Sequence, residues 1–301
     1  MIPGRPRCSG ESREREEELF ASASLVNNWI LFEQPGAWGP DALTDSAFPT
    51  SARPLVDAAN RLGIRILLIR RRTGDDHPPV AFLAGSGDGR RPPWMVSSEY
   101  GHPAELTGID LEGWAEGGIP DFGRPFDGPI YLVCTHGRHD ICCADRGRPL
   151  FRAMSELRPD QTWEVSHIGG DRFAGNLLVL PRGDYFGRLE PEDAANLVEE
   201  YEATRLDLAH HRGRSIHPRL VQAADHFLRQ SLLLAAFEDL TLLDYERLDH
   251  DHAEVAFRGP DQVVHRVQVA ARPLPDQVFL TCRAGEPGQP VAYDLLSIES
   301  A

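Results

Sequence analysis

The sequence contains no lysine, and all 31 basic residues are arginine. With 46 acidic residues, the formal net charge is -15. This excess of negative charge works against non-specific binding to nucleic acid, which depends on neutralising phosphates with Lys and Arg. No apolar run approaches the roughly 20 residues that a membrane-spanning helix needs. The first twenty residues lack the apolar core of a signal peptide. We therefore expect a cytoplasmic protein with no nucleic-acid partner and no membrane span.

Cysteine is also scarce, with five residues in the chain. An odd, small number in a cytoplasmic protein argues against a disulfide framework and favours reduced thiols, metal ligation or redox chemistry. The sequence has no Gly-x-Gly-x-x-Gly fingerprint for a flavin or nicotinamide, so electrons would have to come from and go to partner proteins. It also has no Cys-x-x-Cys motif of the kind that lowers a thiol pKa at a helix start.

The order strand, loop, Arg-Pro-Leu, helix, strand, strand occurs twice, with Arg53-Pro54-Leu55 matching Arg148-Pro149-Leu150 and Glu33 standing roughly where Cys134 stands. This predicts a degenerate internal duplication, with chance similarity of two short α/β units as the alternative. A thioredoxin-like order of elements fits the second copy. We predict an α/β fold with two thioredoxin-like units, the first degenerate (1–125), the second a ferredoxin domain (126–236), followed by a small antiparallel sheet (237–301).

Apolar periodicity, glycine and proline predict the individual elements. The expected helices cover 11–28, 54–62, 148–157, 191–207 and 217–236. The expected strands of the two units cover 29–33, 64–71, 80–84, 130–134, 163–167, 176–180 and 184–189, with a turn at 73–76. The expected strands of the C-terminal sheet cover 254–258, 263–270, 277–282 and 291–298. His210, His211 and His217 are interpreted as surface residues.

Cys134, Cys143 and His167 are the strongest candidates for a functional site. One strand leads Cys134 into a loop, and a later strand leads His167 to the tight Gly169-Gly170 turn. A thioredoxin-like fold would bring these two points to one end of the sheet. Thiolates favour iron-sulfur clusters, copper(I) and zinc, and imidazole ligands raise the reduction potential of a 2Fe-2S cluster. The pattern therefore favours a metal centre for electron transfer.

Cys8 and Cys282 have no metal-ligand neighbour at a useful spacing. A cysteine of this kind commonly behaves as a small buried hydrophobe, and we interpret both in that way. Cys134 and Cys143 differ because polar and glycine-containing loop residues surround them, which favours a functional role.

The motif Cys134, eight residues, Cys143, then His167-Ile-Gly-Gly and Phe173-Ala-Gly-Asn176 resembles the sucrase/ferredoxin-like family. The resemblance covers roughly residues 8 to 235. It implies a thioredoxin-like ferredoxin in the C-terminal part of the family fold. In characterised fungal members, two cysteines at this spacing and two histidines of a His-x-Gly-Gly-His motif bind a 2Fe-2S cluster, which implies Cys134, Cys143 and His167 as ligands here.

The fourth ligand position departs from the family pattern, because Asp171 stands where the second histidine would be. A carboxylate can bind ferric iron but would lower the potential relative to imidazole. Asp171 ranks first as the fourth ligand. Its alternative role is an acidic cap or a partner of Arg172. The other ligand candidates are Cys142, Cys282, His136 and His139, and the cluster could also be absent.

Other residues are expected to surround such a cluster without binding it. Gly169 and Gly170 lack side chains, so backbone N–H groups there could approach the sulfides and tune the potential. Arg172 and Asn176 are the polar candidates for the same outer layer.

The leading hypothesis is an electron carrier that exchanges electrons with redox partner proteins. A cluster-free thioredoxin-like thiol oxidoreductase and a zinc-binding protein are the alternatives. The family name suggests sucrose hydrolysis, which needs two carboxylates at a defined separation, and no sequence feature singles out such a pair. Whether the protein is an enzyme stays open, with a carrier favoured over a hydrolase.

Overall fold

The computed structural model describes residues 7–71, 77–89 and 91–300. Within these ranges the chain is a mixed α/β protein with a ten-stranded sheet and a separate four-stranded antiparallel sheet. The strands are β1 (Asn28–Glu33), β2 (Ile64–Arg70), β3 (Val80–Gly85), β4 (Trp94–Glu99), β5 (Arg124–Pro125), β6 (Ile130–Cys134), β7 (Thr162–Val165), β8 (Leu177–Leu180), β9 (Asp184–Phe186), β10 (His211–Arg214), β11 (Thr241–Arg247), β12 (His252–Arg258), β13 (Val264–Pro273) and β14 (Val291–Ser300). The helices are α1 (Cys8–Glu14), α2 (Arg53–Arg61), α3 (Leu111–Ala115), α4 (Ile141–Leu157), α5 (Ala194–Glu202) and α6 (Arg219–Leu232).

The large sheet has the strand order β10-β9-β8-β6-β7-β2-β1-β3-β4-β5. Its two halves repeat one pattern. In the first half β1 pairs with β2 in parallel and with β3 antiparallel, and β3 then pairs with β4 antiparallel. In the second half β6 pairs with β7 in parallel and with β8 antiparallel, and β8 then pairs with β9 antiparallel. The halves join where β2 meets β7 antiparallel, with Ile69 opposite Val165.

The side chains of β6 alternate between two core regions, as the two-residue period of a strand requires. Leu132 and Cys134 belong to one apolar cluster, whereas Tyr131 and Val133 belong to another, which α4 and α5 cover. β6 and β7 run parallel, so their carboxyl ends lie at the same edge of the sheet. The residues that follow these two strands are therefore brought together.

The four-stranded sheet has the order β11-β12-β13-β14 and packs against α6. Val221 and Leu228 of α6 share a buried cluster with Val255, Phe257 and Val267 of the sheet. The prediction of a strand at 277–282 is wrong. The structure has an isolated β-bridge between Val278 and Gly288 there instead. β11 was not predicted, since its residues are mostly exposed and give little apolar alternation.

Three further predictions of secondary structure need correction. The helix expected at 11–28 ends at Glu14, and the positive φ of Glu16 and Ala21 turns the chain away from helical geometry. Strand β4 was missed. Helix α4 begins at Ile141, seven residues before the expected start, because Asp140 caps it. The predicted turn at 73–76 lies outside the described residues.

Among the residues that the structure describes, no helix is long and apolar enough to cross a bilayer.

A buried charge cluster links β9 to β10. The carboxylate of Asp184 lies 2.9 Å from Nε of Arg182 and 3.3 Å from Nε2 of His211, and it accepts a 2.9 Å hydrogen bond from the hydroxyl of Tyr201. His211 is buried, so its interpretation as a surface residue is wrong. Burial alone would raise the pKa of Asp184, but Arg182 and His211 hold this pKa well below its usual range.

Replacing Asp184 with Asn should lower the free energy of unfolding by about 3 kcal/mol at neutral pH, because Arg182 loses its buried counter-charge. Because the pKa of Asp184 is lower in the folded than in the unfolded state, its carboxylate stabilises the protein at pH values above the unfolded-state pKa of about 4. This stabilisation is lost as the pH falls further. The difference in the free energy of unfolding between wild type and Asp184→Asn should therefore become smaller in acid. Urea unfolding across this pH range measures it, with the exposed Asp160→Asn as the control. Equal stability of Asp184→Asn and wild type at neutral pH would contradict the assignment.

Candidate metal centre

Cys134 is the last residue of β6 and is buried. Its backbone N–H donates to the carbonyl oxygen of Asn176 over 2.9 Å, so the antiparallel pairing with β8 continues to the end of the strand. Helix α4 packs closely over this point. A Cβ added to Gly147 would lie 2.0 Å from the carbonyl oxygen of Cys134, so a side chain there would push the helix off the strand.

Cys142 and Cys143 lie in the first turn of α4 rather than in a loop. Asp140 caps this turn by accepting a 2.9 Å hydrogen bond from the N–H of Cys142. Consecutive helical residues point about 100° apart. The two adjacent thiols therefore face different surroundings: Cys143 belongs to the cluster around Cys134, and Cys142 belongs to a cluster with Cys8.

The turn after β7 carries His167 to the same edge. Gly169 and Gly170 have φ values of 98° and 79°, a conformation that favours glycine. A Cβ on Gly170 would lie 2.2 Å from a guanidinium nitrogen of Arg212. Arg212 itself donates to the carbonyl oxygen of Gly169 over 3.0 Å and to the side-chain oxygen of Asn176 over 2.8 Å.

Asn176 completes this support by donating a 2.8 Å hydrogen bond to the carbonyl oxygen of Gly170. Asn176 therefore supports the Gly169-Gly170 turn without taking part in the set of candidate ligands. Arg172 does not face the same way: its guanidinium bonds to Glu17 over 2.7 Å and stacks on Phe173. Sequence analysis missed Arg212, because nothing in its local sequence indicates that it is buried against a turn more than forty residues earlier.

The ligand atoms of Cys134, Cys143 and His167 all lie within 4.8 Å of one another. Asp171 adjoins them: the thiol of Cys143 lies 3.2 Å from Oδ1 of Asp171, and Nδ1 of His167 lies 2.9 Å from the same oxygen. The structure thus brings together all four residues that the sequence singled out. Two soft sulfurs, an imidazole and a carboxylate form a donor set that can bind a transition metal.

The two histidines of the Cys134–Cys143 loop have different surroundings. Nε2 of His136 lies 2.6 Å from the carbonyl oxygen of Gly39, and its Nδ1 accepts a 3.2 Å hydrogen bond from the N–H of His167. Both ring nitrogens are therefore engaged, so His136 orients the turn. The ring of His139 stacks on that of His167 at 3.7 Å, and its Nε2 lies 3.9 Å from Oδ2 of Asp171.

The electrostatics of the site favour anionic donors. Burial alone would lower the pKa of His167, but Asp171 and Cys134 raise it to about 9. Burial would raise the pKa of Asp171, yet His167 keeps it below its usual value. A hydrogen bond from Cys143 lowers the pKa of the Cys134 thiol well below its ordinary value, and the same contact raises the pKa of Cys143. Cys134 and Asp171 therefore carry negative charge that can attract a metal cation.

Cys142 and Cys282, the alternative ligands, do not join these four residues. Their sulfur atoms lie 3.4 Å apart in a second buried group that also contains Cys8 and Asp140. Cys8 and Cys282 are buried in an apolar cluster, as small hydrophobes would be, but the fold also brings them beside Cys142 and Asp140. No spacing in the sequence could have revealed this, since the two residues are 274 positions apart.

The sequence model of one family, described as sucrase/ferredoxin-like, matches residues 105–215, which include all four residues of the candidate centre. Over this segment the chain is similar to the sucrase/ferredoxin-like family. The resemblance proposed from the Cys134, Cys143 and His167 motif is therefore confirmed for the segment.

Three fungal relatives carry the name "Altered inheritance of mitochondria protein 32". The one from Eremothecium gossypii is 28% identical over 158 residues, which are 46% of this chain and 50% of the relative. The one from Kluyveromyces lactis is 36% identical over 74 residues, 24% of this chain and 23% of the relative. The one from Meyerozyma guilliermondii is 31% identical over 80 residues, 23% and 28% of the two chains. The matches thus span between about a quarter and a half of these relatives.

Among solved structures, a thioredoxin-like [2Fe-2S] ferredoxin from Aquifex aeolicus aligns with a TM-score of 0.27 at 18% identity and covers 31% of this chain and 97% of that chain. A second structure of the wild-type ferredoxin aligns with a TM-score of 0.22 at 22% identity and covers 25% and 86% of the two chains.

Replacing Gly170 with Ala should lower the free energy of unfolding by about 2 kcal/mol, because a side chain is strained at this positive φ and meets Arg212. Chemical denaturation measures the loss. Gly108→Ala is the matched control, since a Cβ there meets no atom within 4 Å among the described residues. Equal stability of the two variants would show that the turn is not held in the described way.

Proposed function

We propose that Cys134, Cys143, His167 and Asp171 hold a 2Fe-2S cluster and that the protein is an electron carrier. The observation that supports this most directly is the convergence of two thiols, an imidazole and a carboxylate at one sheet edge. When bound, such a cluster takes up and releases one electron at a time. The sucrase/ferredoxin-like match over residues 105–215 adds support from an independent source.

The donor set fits the cluster in its chemistry. Thiolate, imidazole and carboxylate groups are all ligands that iron accepts. Nδ1 of His167 lies 2.9 Å from Oδ1 of Asp171, so a metal bound by both side chains would replace this contact. His136 fixes the backbone of His167 through the 3.2 Å hydrogen bond and so helps to orient the ring.

Asp171 is the preferred fourth ligand because its Oδ1 touches both Cys143 and His167, within 3.2 Å and 2.9 Å. His139 is the next candidate. Its ring groups with His167 and Asp171 but not with the two sulfurs. A carboxylate in place of the family's second imidazole should give a lower reduction potential, since it is a harder and anionic ligand.

His167 gives the proposed cluster its route to partners. Its side chain is 25% exposed and that of the stacked His139 is 22% exposed, whereas Cys134 and Cys143 are buried. A redox partner protein would therefore dock over these two rings, where the distance to the cluster is shortest. We keep the cytoplasmic location, and the lack of a nucleic-acid partner, as parts of this proposal.

The repeated strand pattern supports the proposed architecture of two thioredoxin-like units over 1–125 and 126–236, with 237–301 appended. In the first unit the position of Cys134 is taken by Glu33. The guanidinium of Arg71 pairs with this carboxylate through hydrogen bonds of 2.7 Å and 2.8 Å. The first unit would then keep the architecture, with an ion pair in place of a ligand.

A zinc site is the second candidate for the same residues. The ligand atoms of Cys134, Cys143 and His167 lie within 4.8 Å of one another, close enough for all three to bind one tetrahedral ion after small shifts. A 2Fe-2S cluster, with two irons and two sulfides, would require these side chains to spread apart. Metal analysis separates the two candidates directly.

Cys134→Ala and His167→Ala should each abolish the visible charge-transfer bands of the anaerobically purified protein. Both residues are ligands in the proposal, so their replacement should remove the cluster. Wild type should contain two irons and two acid-labile sulfides per chain. Absorption spectra with iron and sulfide analysis provide the measurement. The exposed His250→Ala is the control for histidine replacement. An unaltered spectrum in either ligand variant would refute the assignment, colourless protein with stoichiometric zinc would favour the second candidate, and metal-free protein with reactive thiols would favour a thiol oxidoreductase.

Asp171→His should raise the reduction potential, because a neutral imidazole replaces an anionic ligand. Spectroelectrochemical titration measures the potential, and pulsed EPR of the reduced protein counts the coupled histidine nitrogens. We expect one coupled imidazole in wild type and two in the variant. Asp160→His, on the surface, should change neither quantity. A single coupled imidazole in Asp171→His would mean that residue 171 is not a ligand.

A further inference from the structure

We propose that Cys8, Cys142, Cys282 and Asp140 form a second metal site, which takes one zinc ion and has a structural role. The four residues are buried, and their ligand atoms lie within 4.8 Å of one another. They come from the start of α1, the start of α4 and the segment between β13 and β14. This inference does not depend on the proposed cluster, because the two sets of residues have no member in common.

The three sulfur atoms form a nearly regular triangle. The distances are 3.7 Å from Cys8 to Cys142, 3.4 Å from Cys142 to Cys282 and 3.4 Å from Cys282 to Cys8. Zinc bound tetrahedrally by thiolates at about 2.3 Å separates its sulfur ligands by roughly 3.8 Å. A shift of a few tenths of an ångström would therefore open the triangle around an ion. An S–S bond of about 2.05 Å would need a much larger movement and would leave the third thiol over.

Asp140 provides the fourth donor. Its oxygens lie 3.8 Å and 4.0 Å from the sulfur of Cys8. The carboxylate is held firmly, since it accepts hydrogen bonds from the hydroxyl of Thr281 over 2.8 Å, the N–H of Cys282 over 2.6 Å and the N–H of Cys142 over 2.9 Å. Hydrogen bonds of this kind orient ligating carboxylates in metal sites.

Hydrogen bonds to Cys142 raise the pKa values of the Cys8 and Cys282 thiols and lower the pKa of Cys142, so zinc binding would release protons from Cys8 and Cys282. The N–H of Cys8 points to the sulfur of Cys282 over 3.4 Å. The site also lies at the N-terminal end of α4, a helix of 17 residues whose dipole is positive there.

The position of the site suggests its purpose. Cys8 and Cys282 are 274 residues apart, and each is in contact with Cys142 at the start of α4. A single ion would thus clamp the N-terminal helix and the C-terminal segment onto the helix that also carries Cys143. Metal ligation that closes such long loops stabilises the folded state strongly.

Zinc content of the full-length protein tests the proposal. We expect one zinc per chain in wild type and in the double variant Cys134→Ser/Cys143→Ser, which removes the candidate centre but leaves this site intact. Cys8→Ser and Cys282→Ser should each lose that zinc while retaining the metal of the candidate centre. Zinc that persists when Cys8→Ser or Cys282→Ser is added to the Cys134→Ser/Cys143→Ser double variant would overturn the proposal, whatever metal the candidate centre holds.

A second measurement applies if Cys8→Ser and Cys282→Ser do not fold. Cobalt(II) is added to metal-depleted, reduced Cys134→Ser/Cys143→Ser protein, and its absorption spectrum is recorded. Intense visible bands and near-ultraviolet thiolate charge-transfer bands at one equivalent, reversed by zinc, are the expected result. Zinc X-ray absorption should then show three sulfur ligands at about 2.3 Å and one oxygen ligand. Absence of these bands, or a disulfide in the freshly purified protein, would refute the site.

Discussion

The parallel pairing of β6 with β7 is the constraint on which the candidate centre depends. It sets Cys134 opposite Val165, so the chain leaves both strands at one sheet edge and His167 follows at once. The antiparallel pairing of β6 with β8 then brings Asn176 beside the same point. A shift of one residue in either pairing would turn Cys134 into the opposite core region, where α4 and α5 pack.

Helix α4 acts as the common support of both proposed centres. Asp140 caps its first turn, and the adjacent Cys142 and Cys143 point in different directions from that turn. Cys143 faces Cys134 at the sheet edge, and Cys142 faces Cys8 and Cys282. The proposed zinc site would therefore stabilise the helix start that positions a ligand of the proposed cluster.

Local sequence patterns predicted the strands around the site well, because β1, β2 and β6 are short apolar runs with clear boundaries. They also singled out Cys134, Cys143 and His167, and the resemblance to the family added Asp171; the structure brings these four residues together. Contacts between distant segments were not predictable. No spacing rule relates the residues that meet at three places in the fold. These are the Cys8–Cys142–Cys282 triangle, the contact of buried His211 with Asp184 and the bonds of Arg212 to the Gly169 turn. The early start of α4 was missed because Pro149 suggested a helix start, whereas the helix includes it.

Anomalous diffraction from crystals of the anaerobically purified protein tests the central claim most directly. Maps recorded at the iron absorption edge should contain two adjacent peaks among Cys134, Cys143, His167 and Asp171. A single peak that appears at the zinc edge, or no peak among these four side chains, would contradict the account of this protein as a carrier of a 2Fe-2S cluster.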